Sequence, residues 1–290
     1  MNKIKIITDS TTDLSKELYD KYDIEVLPLF VTIGEETYKD FYEIDAKKLY
    51  DLVEKHKTFP KTAAITPLVL EQTFQKYIDQ GYDILFTSIG SGFSMTFNNA
   101  KIAASLVEKD RVFLVDSQNL SSGTSLLIFK MIKYIKQGLS AKEVSEMVQD
   151  FSKNVRSQFA INSFDYLHKG GRCSGTAKFV GTALRLKPII KVVDGGMMVG
   201  KKPIGFKKAL NTMLEDTKKD LERIDKDVVF VTHSLNYEDA EYLKECLINM
   251  GLKNIITTCA GAVISTHCGE KTIGILYLVK EWFFIVNMLK

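Results

Sequence analysis

Cysteine is scarce in this chain and carries no pattern. Four occur in 290 residues, Cys173, Cys246, Cys259 and Cys268, and none forms a C-x-x-C pair. That spacing excludes a zinc ribbon and a thioredoxin-like redox motif, and no His, Cys and carboxylate cluster has metal-ligand spacing. Net charge is equally sparse, +3 with no block of one sign. A nucleic-acid partner is not expected, and membrane contact is expected to be transient at most. No phosphate loop of the G-x-x-x-x-G-K-[ST] type is present, so self-sufficient nucleotide use of that kind is unsupported. No G-x-G-x-x-G follows the first strand pattern. The most apolar stretch, Ile273 to Leu289, is interrupted by Lys280 and Glu281 and falls short of the roughly 20 apolar residues of a spanning helix. It reads as a core strand, Ile273 to Val279, with a short amphipathic tail. The first residues enter a strand pattern without a signal-peptide apolar region of about 7–15 residues, and the reading expects a cytoplasmic protein with reduced thiols.

What the chain does have is a regular order of elements. Lys3–Thr8 alternates into a β-branched run that stops at Asp9 to Asp13. Leu14, Leu18 and Tyr22 then share one helix face. Ile24–Ile33 reads as one strand, placed at a sheet edge by Pro28. Lys61 to Pro67 reads as a loop, with Thr66 as N-cap and Pro67 as first helical residue. Strands follow at Ile84–Ser88 and Val112–Val115, and a capping box starts at Ser140 with Glu143. Strand and helix alternate up to about residue 156, which predicts a mainly parallel sheet with helices on both faces. The texture then changes. Gln158–Ser163 reads as a strand, and Ile189–Val193 with Met197–Lys201 as a hairpin turning at Asp194-Gly195-Gly196. Strands Val228–Thr232 and Ile255–Thr258 flank a helix from Tyr237 to Met250, capped by Asn236 and ended by Gly251. The fold expected is α/β with two domains, 1–157 with the parallel sheet and 158–290 with a mixed sheet, and a ligand between them.

Small polar residues gather where strands end, the edge at which open α/β sheets bind ligands. Ser91-Gly92-Phe93-Ser94 combines hydroxyls with a glycine that allows close backbone approach. It reads either as an anion site or as a plain helix cap by Ser94 or Thr96. The same segment, Gly92-Phe93-Ser94-Met95-Thr96, approximates the G-x-S-x-G nucleophile elbow, and Asp116 and His267 follow in hydrolase order. A serine esterase using Ser94, Asp116 and His267 is therefore the alternative, although Thr96 stands where that motif needs its second glycine. Arg172 lies beside Gly170-Gly171, as a phosphate or carboxylate partner or as a solvated residue after a helix end. His267 lies in the small polar run Ser265 to Gly269 and could donate to an anion. Lys201 and Lys202 open the densest basic stretch.

These segments also carry a resemblance. Ile6-Ile7-Thr8-Asp9-Ser10-Thr11-Thr12-Asp13-Leu14 resembles the opening of DegV family proteins, and Tyr38-Lys39-Asp40-Phe41-Tyr42 their early tyrosine–aspartate segment. Lys61 to Pro67 is similar to the family's Thr-Ser-Gln-Pro-Ser loop, and Ser91 to Ala100 to its Ser-x-Leu-Ser-Gly-Thr-Tyr helix start. Val115-Asp116-Ser117, Leu167 through Ser174, Leu186 to Ile190 and His267-Cys268-Gly269 continue the series in order. The resemblance implies a lipid-binding protein that is not itself an enzyme. It would enclose one long-chain fatty acid and present the carboxylate to a separate fatty acid kinase, whose acyl-phosphate product serves phospholipid synthesis. By position, Thr62, Ser94 and His267 would hold the carboxylate, with Ser91, Gly92, Phe93, Met95 and Thr96 adjacent. Arg172, helped by Lys201 or Lys202, would serve phosphoryl transfer or kinase docking. No cofactor is implied beyond the fatty acid as ligand. The chain departs from the pattern at Ala63, Ala64, Ile65, Phe93, Met95 and Cys268, and its tail Trp282-Phe283-Phe284 is aromatic.

Overall fold

The structure, a computed structural model, describes residues 2–172 and 186–280. Cys173, Ser174 and the aromatic tail lie outside them.

Strand β1 (Lys3–Asp9) leads through a short turn, Ser10–Thr12, to helix α1 (Lys16–Lys21) and strand β2 (Glu25–Leu27). The run read as one strand is two. Pro28 separates β2 from β3 (Phe30–Ile33), because it cannot donate to a ladder, and the two segments join different sheets. β3 pairs antiparallel with β4 (Glu36–Lys39) and, after α2 (Ala46–His56), with β5 (Lys61–Ala63). β5 corrects the expectation of a loop over Lys61 to Pro67. Helix α3 (Pro67–Asp79), β6 (Tyr82–Ser88), α4 (Thr96–Leu106) and β7 (Val112–Asp116) complete the first half. The main sheet there has order β2-β1-β6-β7 and is wholly parallel, as the alternation predicts. Its two faces follow from strand periodicity: Ile6 and Leu85 point into one core, Ile7 and Phe86 into the other.

Helix α5 (Ser122–Lys136) and α6 (Ala141–Phe151) follow, α6 opening with the predicted capping box. The second sheet starts with β8 (Val155–Ala160), three residues earlier than the sequence suggests. After α7 (Asp165–Gly170) come β9 (Ile189–Val193) and β10 (Gly196–Val199). Their turn places both Asp194 and Gly195 at positive φ, the type I′ geometry of a two-residue hairpin. Then follow α8 (Phe206–Asp220), β11 (Ile224–His233), α9 (Tyr237–Asn249), β12 (Ile255–Cys259), α10 (Ala262–Cys268) and β13 (Ile273–Val279). The order β10-β9-β8-β13-β11-β12 mixes parallel and antiparallel pairs.

Helix α5 lies between the two sheets. Leu126, Leu127, Ile128 and Met131 share one buried cluster with Leu85 and Val115 of the first sheet and with Phe230 and Leu276 of the second. A smaller cluster, with Ile89, Phe93, Leu120, Phe159 and Leu167, fills the junction beside the site.

Candidate functional site

The site forms at the carboxyl end of the parallel sheet, where β1 and β6 lead into loops on opposite sides of the topological switch point. Asp9 ends β1. Its carboxylate accepts from Thr11 N and Oγ1 and, at 3.0 Å, from Ile89 N, which ties that strand end to the loop after β6. Asp116, at the end of β7, accepts from Ser91 N and Oγ and from Gln118 N. These bonds fix the loop from Gly90 to Ser94. Gly92 needs its missing side chain: a Cβ there would lie 2.2 Å from Gly195 O at the tip of the β9–β10 turn.

Thr62, Ser94, His267 and Arg172 come together on one cavity, with Phe93 and Met95 in the same lining. Thr62 reaches it from β5, an edge strand of the small sheet. His267 comes from α10, and its Nε2 lies 2.9 Å from Thr62 Oγ1. Burial, and then the charge of Arg172, push the imidazole pKa down to about 4, so the ring is neutral near pH 7. Its Nδ1 is buried without a partner, pressed against Gly170, where a Cβ would lie 2.3 Å from that nitrogen. With the proton on Nε2, the ring donates to Thr62 Oγ1 and leaves the threonine hydroxyl proton for an anion.

Ser94 makes a local hydrogen bond and also faces the cavity. Its Oγ accepts from Thr96 N at 3.2 Å, a local cap, and is 3.1 Å from Thr96 Oγ1, yet it lines the cavity. Thr96 is buried beneath it, and Ser91 is held by Asp116. Arg172 donates from Nε to Phe93 O at 3.0 Å and from Nη1 to Gly170 O at 2.7 Å, which sets its guanidinium at the rim.

Lys201 is not brought to this cavity. Its Nζ pairs with Asp216 at 3.1 Å, beside Lys191 and Lys219 on the same carboxylate. Lys202 is exposed on the same stretch and is likewise absent from the lining. The esterase alternative does not assemble. Ser94 is committed to Thr96, His267 to Thr62 and Asp116 to Ser91, so no chain of hydrogen bonds runs from serine through histidine to aspartate. Among the described residues no group of His, Cys, Asp and Glu has the arrangement to hold a metal ion.

A second cavity continues from the first. Leu120, Met197, Ile264 and His267 line both. It is narrow, with about 50 Å³ of free space, below the roughly 300–1,000 Å³ usual for small-molecule sites, so its apolar side chains must move apart to admit a long ligand. Its polar residues turn their polar atoms into hydrogen bonds. Thr232 bonds Ser122 and Thr258, Ser234 bonds Tyr50 and Ser265, and Thr272 donates to Cys268 O. What faces the channel is therefore hydrocarbon, including Phe159, Leu167 and Leu276. Sequence reasoning missed Leu29, Leu120, Met197 and Ile264 as lining, since an apolar residue on a cavity wall has no signature that separates it from core.

A polar mouth, with Thr62, Ser94, His267 and Arg172, adjoins a channel faced by hydrocarbon, the layout of a binding site for a molecule with a polar head and an apolar tail. A model described as "Uncharacterised protein, DegV family" matches residues 3–280, and the chain belongs to the DegV family. A DegV domain-containing protein of Clostridium perfringens is 34% identical over 280 residues, covering 96% of this chain and 99% of the relative. Among solved structures, a DegV family protein from Thermus thermophilus, described by its fatty acid binding, superposes with TM-score 0.89 at 26% identity, covering 97% and 100% of the two chains. DegV of Bacillus subtilis, described as a fatty acid binding protein, gives TM-score 0.85 at 28% identity, covering 97% and 100%. A stearic acid-binding protein from Eubacterium ventriosum also gives 0.85 at 28%, covering 96% and 98%. No described helix is long and apolar enough to cross a membrane.

Proposed function

We propose that this chain binds one long-chain fatty acid and presents its carboxylate to a separate kinase for acyl-phosphate formation. The observation that carries the binding half is the shared boundary between the two cavities. The hydroxyls of Thr62 and Ser94 stand at one end, with His267 orienting Thr62, and a channel with its polar atoms turned away adjoins them. Each buried methylene of the tail contributes about 0.8 kcal/mol, so the tail supplies the gross driving force. The head must only avoid burial without partners, which would cost a few kcal/mol. Neutral hydroxyls meet that need and release the ligand more readily than a buried ion pair would. The fatty acids named for the Thermus, Bacillus and Eubacterium relatives support this reading.

Arg172 supports the kinase half. It stands at the rim, its guanidinium held by two backbone carbonyls, where an incoming phosphoryl group would meet it. The acyl-phosphate would serve phospholipid synthesis in the cytoplasm.

The test begins with native mass spectrometry and lipid extraction of the purified chain, which are expected to yield one fatty acid per protein. Ser94→Ala should then weaken fatty acid binding roughly 10- to 100-fold, the loss of one hydrogen bond to a charged group. Arg172→Ala should leave binding intact and abolish phosphorylation of the bound acid by a cognate kinase. Loss of binding in the arginine variant would remove its assignment to the partner reaction.

A further inference from the structure

We propose that Asp13 and Asp40 are positioning residues of the carboxylate site, acting through α10, which they hold by its N-terminal amides. This helix falls between β12 and β13 in the chain, yet it is docked into the other half of the molecule. Ala262 and Val263 pack in the core cluster of Ile7, Leu29 and Phe86. Its N-cap is Gly261, which has no side chain to cap with. Two carboxylates distant in sequence take over. Asp13 Oδ1 accepts from Gly261 N at 2.8 Å, and Asp40 Oδ1 accepts from Ala262 N at 2.8 Å and Val263 N at 3.4 Å. A Cβ on residue 261 would lie 3.1 Å from Asp40 Oδ1 and 3.3 Å from Asp13 Oδ1, so both oxygens close on one glycine.

The carboxylates are themselves anchored. Ser121 donates to Asp13, and Ser10 donates to Asp40 while accepting from Leu29 N at 3.1 Å. Both are buried, and burial raises both pKa values. A helix cap alone would be served by one serine or threonine at position 261. Two buried carboxyl groups on the end of a seven-residue helix are more than a cap requires.

What they hold explains the expense. Ile264 and His267, one turn apart on α10, line both cavities. His267 bonds Thr62 on β5, and Asp40 directly follows β4 of the same small sheet. That sheet therefore grips the helix at both ends, by a carboxylate at the amides and a hydroxyl at the imidazole. Any slip of the helix moves the imidazole that orients Thr62 and the channel entrance together.

The test uses Gly261→Ala and Asp40→Asn in the full chain. Gly261 has φ −66 and ψ 177, which alanine adopts freely, so only the close approach to the carboxylates is challenged. Imidazole 15N NMR reads His267 directly. Both variants are expected to fold with a cooperative melt, to show the His267 pKa moving up towards its ordinary 6.5 and to lose the Thr62 hydrogen-bond signature. Oleate affinity should fall about tenfold. An unchanged His267 titration in a folded variant, or oleate affinity within about twofold of the parent, overturns the proposal. Failure of both variants to fold assigns the carboxylates to stability alone and overturns it too. The affinity readout rests on the fatty-acid reading, whereas the NMR readout does not. A parent chain that binds no oleate would sink that reading and leave the positioning claim to His267.

Discussion

At the scale of single residues, the histidine of the candidate site is held neutral. An imidazolium would clamp a carboxylate as a buried ion pair, and its formation would have to overcome both burial and the nearby Arg172. The linkage has a definite sign. The folded pKa lies near 4 and the ordinary value is 6.5, so the unfolded chain takes up the proton first as pH falls. The stability His267 brings through its neutral form is complete above about pH 6.5 and is lost progressively towards pH 4. His267→Gln removes this titration. Its melting temperature, compared with the parent at successive pH values, should fall behind by a constant amount above pH 6.5 and close the gap below it. A gap that widens on acidification would mean the imidazole is charged in the fold. Thr62, Ser94, His267 and Arg172 were singled out together by the family resemblance, and they do line one cavity; residue types alone also allowed Ser94 to be a helix cap and Arg172 a solvated residue after a helix end. Lys201 does not join them, since its long side chain takes whichever carboxylate is near. Asp216 on α8 meets it across a loop that no periodicity describes.

At the scale of elements, the signals that held were those with a local cause. Ser140 accepts from Glu143 N while the Glu143 carboxylate accepts from Ser140 N at 2.8 Å, so the capping box needs nothing beyond four residues. The I′ turn at Asp194-Gly195 is equally self-contained. Elements whose cause is distant were lost. Helix α10 is not read from the sequence because Ser265, Thr266 and Cys268 are small or polar and yet buried, so it has no apolar stripe to detect. Its cap is supplied by Asp13 and Asp40, which its own neighbourhood cannot reveal. β5 is a three-residue edge strand, too short to show alternation. The locality of the capping box gives a clean control. Ser140→Ala should cost about 1 kcal/mol, lowering Tm by roughly 2–4 °C, with fatty acid affinity unchanged because α6 lines neither cavity of the candidate site. A change in affinity there would show that stability and binding are coupled across α5.

At the scale of the whole molecule, α5 makes the two halves one body. Its buried side chains belong to a cluster that draws on both sheets, so the halves share hydrophobic area as well as a cleft. Such an arrangement suits a ligand whose head sits at the junction and whose tail must be sealed from water. The head cavity gains residues from both halves. The channel runs under α10, and its wall away from the mouth includes Phe159, Ala260 and Leu276, which do not line the head cavity. In the proposed reading, chain-length preference would be set on that wall, independently of the head-group hydroxyls. Ala260 is buried and small. Ala260→Phe fills channel space while leaving Thr62, Ser94 and His267 untouched. Competition binding across a series of saturated fatty acids should show affinity for the longest chains reduced, by about 0.8 kcal/mol for each methylene excluded. Chains short enough to stop before residue 260 should bind as tightly as to the parent. An equal loss across all lengths would place Ala260 in the support of the head group, and an unchanged series would place the tail outside this channel altogether.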